Sequence, residues 1–412
     1  MIDFQRFVLD NGLRVIVHKD TSTPIVTVNL LYDVGAKDEN PNKTGFAHLF
    51  EHLMFGGSIN IPVYDMPVQI VGGQNNAFTN NDLTNYYVAL PKENLETAFW
   101  LESDRMLSLA FSEKSLEVQR NVVIEEFRQR YLNQPYGDSS LFLRPLAYKV
   151  HPYSWSTIGK EISHIENAQI QDVKDFFFKH YAPNNCILVV AGNVETQEIK
   201  ELSEKWFGTI ERRDVPKRNL PQEPLQNEKR TLTLERDVPF DAIYMAYHMC
   251  DRKHKDYQTC DLISDLLSNG ESSRLYRRLV LEQRLFSNID AYISGHIENG
   301  LFFIQGKLME GVELSAAEEA INKELLQIST QLVEDIELEK VKNKLEASLI
   351  FSETSTWNKA VNLAYYELLG DAAEVNNELD RYRSVTPQQI METAAKIFRP
   401  ENTSILYYKA KK

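Results

Sequence analysis

Apolar and polar positions change their spacing along this chain in a regular way. The opening "MIDFQRFVLDNGLRVIV" reads as two strands joined by a tight turn at Asn11-Gly12. "TPIVTVNLLYDVG", from Thr23, is a β-rich run and reads as a further strand. A charged loop follows, then "HLFEHLMFGGS" from His48, an otherwise apolar helix that Gly56 or Gly57 stops. "GGQNNAFTNNDLTNYY", from Gly72, opens on a glycine turn and continues as a polar strand and a more apolar one. "SEKSLEVQRNVVIEEFRQRYLNQP", 112–135, has helical periodicity, with Ser112 as its cap and Pro135 just past its end. "AQIQDVKDFFFKH" is again helical and leads into the β-rich "YAPNNCILVVAGNV" from Tyr181.

The same order of patterns returns about 215 residues later, a separation that suits a whole domain rather than a solenoid unit. "VPFDAIYMAYHMC", from Val238, matches the strand from Thr23. "LISDLLSNGE", from Leu262, lies over the helix from Leu49. "VTPQQIMETAAKI" precedes "FRPENTSILYYKAK", from Phe398, as the earlier helix precedes the strand from Tyr181. Between the halves lies a proline-rich, charged stretch with the composition of an extended linker. These signals predict an α+β chain made by internal duplication, each half a mainly antiparallel sheet packed with helices. The expected domains are 1–212 and 230–412, with 213–229 as the linker.

Composition adds exclusions. The chain has 412 residues, 43% hydrophobic and 25% charged, which is ordinary for a globular protein with ample core. Its net charge of −14 argues against a nucleic-acid partner. No run approaches a membrane span, so no membrane partner is expected. The cysteines Cys186, Cys250 and Cys260 show no CxxC spacing, and a sparse, odd set suits a reducing compartment. The N-terminus shows no basic segment followed by an apolar one. The expected location is the cytoplasm, or the periplasm if a leader has been removed.

Two of only nine histidines stand four residues apart on the helix from His48, with Glu51 between them. Residues i and i+4 share a helix face, so His48 and His52 can reach one ion, and Glu51 borders that face. Imidazole and carboxylate are good zinc ligands, and catalytic zinc usually takes three protein ligands plus a water. A nearby carboxylate that is not a ligand then moves the proton. The arrangement His-x-x-Glu-His inverts the common zinc-protease motif. For the third ligand, Glu125 and Glu126 are the contenders. At about 100° per residue, Glu126 falls between Val122 and Val123, where a carboxylate needs a partner. Glu125 falls at the outer edge, beside Val118, so Glu126 is preferred. The second half carries Asp261, Ser264 and Asp265 where the first has His48, Glu51 and His52. Such asymmetry is what a functional site on a duplicated scaffold looks like.

With these motifs the chain resembles the pitrilysin/insulysin zinc peptidases (inverzincins), in the branch of mitochondrial processing peptidase and its bacterial relatives. "HLFEHLMFGGS" is similar to the family's zinc helix, and "QRNVVIEEF" to its second helix, where a ligand glutamate follows the second histidine by roughly 75 residues. "GGQNNAFTNNDLTNYY" resembles the family's Gly-Gly-x-x-Asn-Ala-x-Thr segment, and "GESSRLYRRL", from Gly270, its counterpart in the second half. The resemblance covers nearly the whole chain and implies the processing-peptidase/LuxS-like metallohydrolase fold. It implies Zn2+ on His48, His52 and Glu126, and Glu51 as general base. It also implies that Asn76, Ala77 and Phe78 line an edge strand that takes up an extended peptide. Read without the resemblance, that segment is a hairpin with good turn chemistry.

The sequence departs from the family pattern in two places. Relatives often carry glutamate where this chain has Gln119. Self-sufficient members carry an arginine and, seven residues on, a tyrosine in the second half, to hold substrate and the oxyanion. Here Val280 and Ser287 stand at those positions, with Arg284 displaced by four residues and Phe286 lacking a hydroxyl. Loss of one oxyanion donor costs about 2.7–4 kcal/mol of transition-state stabilisation. The expectation is therefore a zinc metalloendopeptidase subunit acting on unstructured peptides. It would form half of a clamshell, closed by a homologous partner that supplies arginine and tyrosine, or by a second copy in a homodimer. The alternative is a non-catalytic scaffold subunit of a processing-peptidase-like complex; such relatives usually lose the zinc motif, which this chain keeps.

Overall fold

In a computed structural model of the chain, residues 1–411 are described. Among the described residues, eleven strands form two sheets. The first contains β1 (Gln5–Val8), β2 (Arg14–Lys19), β3 (Ile25–Tyr32), β4 (Gln74–Thr79), β5 (Thr84–Pro91) and β6 (Cys186–Gly192). Their order is β1-β2-β6-β3-β5-β4. The second contains β7 (Arg230–Arg236), β8 (Ala242–His248), β9 (Phe286–Ile293), β10 (Leu301–Leu308) and β11 (Thr403–Ala410), in the order β7-β11-β8-β10-β9. Apart from the extra β1, the topologies coincide. β2 pairs parallel with β6 as β7 does with β11, and the other pairs are antiparallel. The duplication expected from the sequence is therefore a duplication of topology.

Local chemistry fixes the hairpins. Gly12, at φ +90°, turns the chain between β1 and β2. Between β4 and β5 the Asn80 side chain accepts the N–H groups of Asp82 and Leu83, an Asx turn. The strand from Tyr181 is buried at every position of Cys186–Gly192, because the sheet is covered on both faces.

The chain forms two compact units, and neither is contiguous. The first comprises 1–127, 155–220 and 350–377; the second comprises 128–154, 221–349 and 378–412. The contiguous halves 1–212 and 230–412 thus exchange one helical segment each. Helix Thr356–Leu369 packs on β3 and β6 of the first sheet. Its Ala360, Leu363 and Ala364, all at 0% exposure, join Ile16, Leu31, Ile187 and Val189 in one apolar cluster. The Ser355 hydroxyl accepts the Asn358 N–H at its start, and Gly370, at φ +133°, ends it. Helix Ser139–Ala147 does the same for the second sheet, where Leu143 and Ala147 meet Ala242, Ala246, Leu301 and Leu406. Each helix offers an apolar face that only a sheet face can cover.

The stretch 213–229 forms no helix or strand and is anchored. Arg218 bonds to Asp33 and Asp38, and Arg213 lies over the rings of Phe177 and Phe178.

Candidate metal centre

The centre is built wholly within the first unit. Helix Phe46–Leu53 buries Phe46, Ala47, Leu49, Phe50 and Leu53 and leaves His48, Glu51 and His52 half-buried on its other side. Its N-terminus has no side-chain cap of its own, because Gly45 is the capping residue. Gly45 sits at φ +89°, where a Cβ would come within 2.7 Å of the Ile158 carbonyl oxygen. The buried Glu39 carboxylate replaces the cap. It accepts the N–H groups of Gly45 at 3.0 Å and Ala47 at 2.8 Å, and the Trp155 indole N–H at 3.0 Å. Burial pushes its carboxyl up to about 8, against the pull of those donors.

Helix Glu113–Phe127 supplies the third group. Ser112 caps it as expected, its hydroxyl accepting the Ser115 N–H at 3.3 Å. Glu126 is half-buried and Glu125 exposed, in line with the helical-wheel choice. Glu126 Oε2 lies 3.6 Å from His48 Nε2 and 3.6 Å from His52 Nε2. Both separations are too long for hydrogen bonds. They suit atoms that share an ion, since two bonds of about 2.05 Å at a tetrahedral angle place their ends about 3.3 Å apart. The imidazoles stand edge to face, centroids 4.8 Å apart at 89°. All three donor atoms lie within 4.8 Å of one another. Among the described residues no other group of histidine, cysteine or acidic side chains meets in this way. A donor set of two imidazoles and one carboxylate fits zinc in charge, ligand type and number.

Beneath the histidine helix lies a charged cluster that sequence patterning missed. Arg105 is 1% exposed and pairs with Glu102, itself 0% exposed. The guanidinium binds through two hydrogen bonds of 2.8 and 2.6 Å. The Tyr64 hydroxyl donates to the same carboxylate at 2.6 Å. Phe55, Tyr64 and Tyr86 surround the cation, their ring centroids 5.4, 4.5 and 4.4 Å away. Tyr86 and Tyr181 share a hydrogen bond of 3.0 Å. Burial foremost raises both phenols well above their usual range, and the Glu51 charge adds to it. The only sequence signal was two ionic residues three apart in helix Leu95–Leu107, a pattern equally common on solvated faces.

The other expected residues fall as follows. Asn76, Ala77 and Phe78 lie on β4, which among the described residues pairs with β5 alone and is an edge of the first sheet. β4 packs against the histidine helix. The Asn76 side chain accepts the Ala77 N–H at 2.8 Å. In the second unit, Val280 packs on the apolar core, and the exposed Ser287 donates to the Lys307 carbonyl at 3.2 Å. Phe286 is buried, and Arg284 is exposed with φ +54°. Asp261, in the place of His48, accepts a hydrogen bond from Tyr382 at 2.6 Å and is pushed up to about 6 by burial.

Two histidines and a glutamate converging on a duplicated α+β scaffold define a metallohydrolase of the inverted zinc-protease type. Comparison with known proteins agrees. Residues 14–148 match the family description "Insulinase (Peptidase family M16)", and residues 167–345 match "Peptidase M16 inactive domain". "Zinc protease PqqE" of Helicobacter pylori (strain ATCC 700392 / 26695) is 30% identical over 411 residues, spanning 97% of this chain and 91% of that protein. "Mitochondrial-processing peptidase subunit beta" of Saccharomyces cerevisiae (strain ATCC 204508 / S288c) is 25% identical over 84% of this chain and 77% of its own length. The crystal structure of a protease from Helicobacter pylori superposes with a TM-score of 0.93 at 28% identity, covering 99% of this chain and 100% of that one. The chain belongs to peptidase family M16, a family of zinc metallopeptidases, as the sequence resemblance implies. None of its described helices is long and apolar enough to cross a membrane.

Proposed function

We propose that this chain is a zinc-dependent metalloendopeptidase subunit that hydrolyses unstructured peptides. The observation that carries the reading is the convergence of His48, His52 and Glu126 to one point, with Glu51 on the same helix as the two histidines. His48, His52 and Glu126 would hold the ion. When bound, zinc supplies Lewis acidity and makes water acidic enough to ionise near neutral pH. Glu51 takes the proton from the attacking water and returns it to the leaving amine. Burial keeps the neighbouring Tyr86 and Tyr181 phenols protonated, so they are poor bases beside Glu51. An extended peptide adds to the free edge of β4, at Asn76, Ala77 and Phe78, by main-chain pairing. The place of β4 beside the histidine helix supports this.

The second unit supports a division of labour. Val280 has no donor and packs on the core, the Ser287 hydroxyl already donates to the Lys307 carbonyl, and Phe286 is buried. A homologous chain then supplies these groups and completes the peptide chamber. The similarity to a protein named as a beta subunit favours a heterodimer over a homodimer. The sparse cysteines, without CxxC spacing, favour the cytoplasm, with the periplasm as the alternative if a leader has been removed. The scaffold alternative is disfavoured by the intact donor cluster.

The test is hydrolysis of a quenched fluorogenic peptide by the zinc-loaded chain, alone and with homologous chains from the same source. Slow turnover alone, at least about tenfold faster with one partner and abolished by Glu51→Gln, is the expected result. Turnover that survives Glu51→Gln refutes the role of Glu51. Full activity of the lone chain refutes the divided site.

A further inference from the structure

Cys250 and Cys260 carry no CxxC signal, yet the fold brings their sulfurs to 3.7 Å, which is van der Waals contact. Closing to a bond needs a further approach of roughly 1.7 Å, within reach of side-chain rotation. Both backbones are pinned. Cys250 lies between Met249, whose N–H bonds to the Gly300 carbonyl at 3.0 Å, and Arg252, whose N–H bonds to the His296 carbonyl at 3.1 Å. Cys260 sits in the first turns of helix Tyr257–Ser268, its N–H bonded to the Asp256 carbonyl at 3.0 Å. The contact is thus a product of the second unit's packing rather than of a mobile loop.

The two thiols differ in access. Cys260 is 1% exposed, while Cys250 is half-buried at the rim of the same apolar core. One reachable sulfur backed by one buried sulfur is the layout of an attacking and a resolving thiol. A metal reading is not supported, because no third donor gathers with them among the described residues.

We propose that Cys250 and Cys260 are an oxidation site that closes to an intrachain disulfide under a hydroperoxide. Cys250 sulfur attacks the peroxide oxygen, breaking the O–O bond and releasing an alcohol or water, and becomes a sulfenic acid. Cys260 sulfur then attacks the Cys250 sulfur and expels the sulfenic oxygen as water, the lost thiol proton completing it. Two thiols are oxidised by two electrons and one peroxide is reduced. The bridge ties the segment after β8 to helix Tyr257–Ser268 across residues 251–259. In a reducing compartment it acts as a reversible sensor.

The test treats the reduced full-length chain with hydrogen peroxide, followed by denaturing alkylation and mass spectrometry. The expected result is a loss of two hydrogens, one alkylated thiol at Cys186, and a peptide linking Cys250 with Cys260. Dithiothreitol should reverse it. Cys260→Ser should leave a dimedone-reactive sulfenic acid on Cys250, and Cys250→Ser should leave Cys260 unmodified. Three alkylated thiols after peroxide, a bond between chains, or a faster reaction at Cys260 than at Cys250 would overturn the proposal. Thermal melting of each variant before oxidation shows that it is folded, so failure to bridge cannot be mistaken for failure to fold.

Discussion

Replacing Arg105 with alanine tests the physics beneath the histidine helix. The cation is 1% exposed and its partner Glu102 is 0% exposed, so neither reaches water. Arg105→Ala removes both hydrogen bonds to Glu102 and leaves that carboxylate the Tyr64 hydroxyl. Breaking a buried pair from one side costs about 3–5 kcal/mol. Three ring faces also lose their cation, and a void opens among Phe55, Tyr64 and Tyr86. These terms overlap, and about 4 kcal/mol in all, near a thousandfold in the folding constant, is the expected loss. Tryptophan fluorescence in a urea titration reads it cleanly. All four tryptophans, Trp100, Trp155, Trp206 and Trp357, belong to the first unit. The pair Glu102→Gln with Arg105→Met keeps an acceptor for Tyr64 and removes both charges. It should regain at least half of the loss, because neutralising a buried pair is often near neutral. A loss under about 1 kcal/mol for Arg105→Ala, or a double variant no more stable than the single one, would refute the assignment of a buried, water-free pair.

Other consequences can be measured in parallel. Glu126→Gln should lower zinc affinity by at least about tenfold, while Glu125→Gln leaves it unchanged, as zinc retained after dialysis against a metal buffer will show. Equal retention by both variants would move the third ligand elsewhere. Leu363→Ala should cost about 2–5 kcal/mol and raise amide exchange in β3 and β6, although Leu363 lies far along the chain from both strands. Leu326→Ala, at an exposed position, should cost under about 0.5 kcal/mol. For Glu39, the folded protein holds its carboxyl proton more tightly than the unfolded chain does. The stabilisation from this shift is full below about pH 4 and is lost as pH rises through about 8. The melting temperature should therefore fall between about pH 5 and pH 8 and level off above that, and Glu39→Gln should flatten that slope.

Much of the centre was legible in one dimension. His48, Glu51 and His52 are near neighbours in a helix, so their common side follows from a rise of about 1.5 Å per residue. Glu126 could be told from Glu125 because a helical wheel places one among valines and the other at the edge. The duplication was readable because strand and helix patterns recur in the same order. The exchange of helices Ser139–Ala147 and Thr356–Leu369 was not. An amphipathic helix announces that it needs an apolar surface but not which of two similar sheets provides it. The Arg105 cluster was hidden for a related reason. A charged pair three residues apart looks solvated until the aromatic rings that enclose it arrive from distant segments.

The sequence by itself determined the elements, their repetition and the shared helix face of His48 and His52, because each depends on periodicities a few residues long. Only the tertiary structure decided which helix backs which sheet, that Glu39 caps the histidine helix from outside it, and that Cys250 meets Cys260. Those outcomes depend on contacts between segments brought together by the fold, where burial removes water and gives each buried charge or thiol a single set of neighbours.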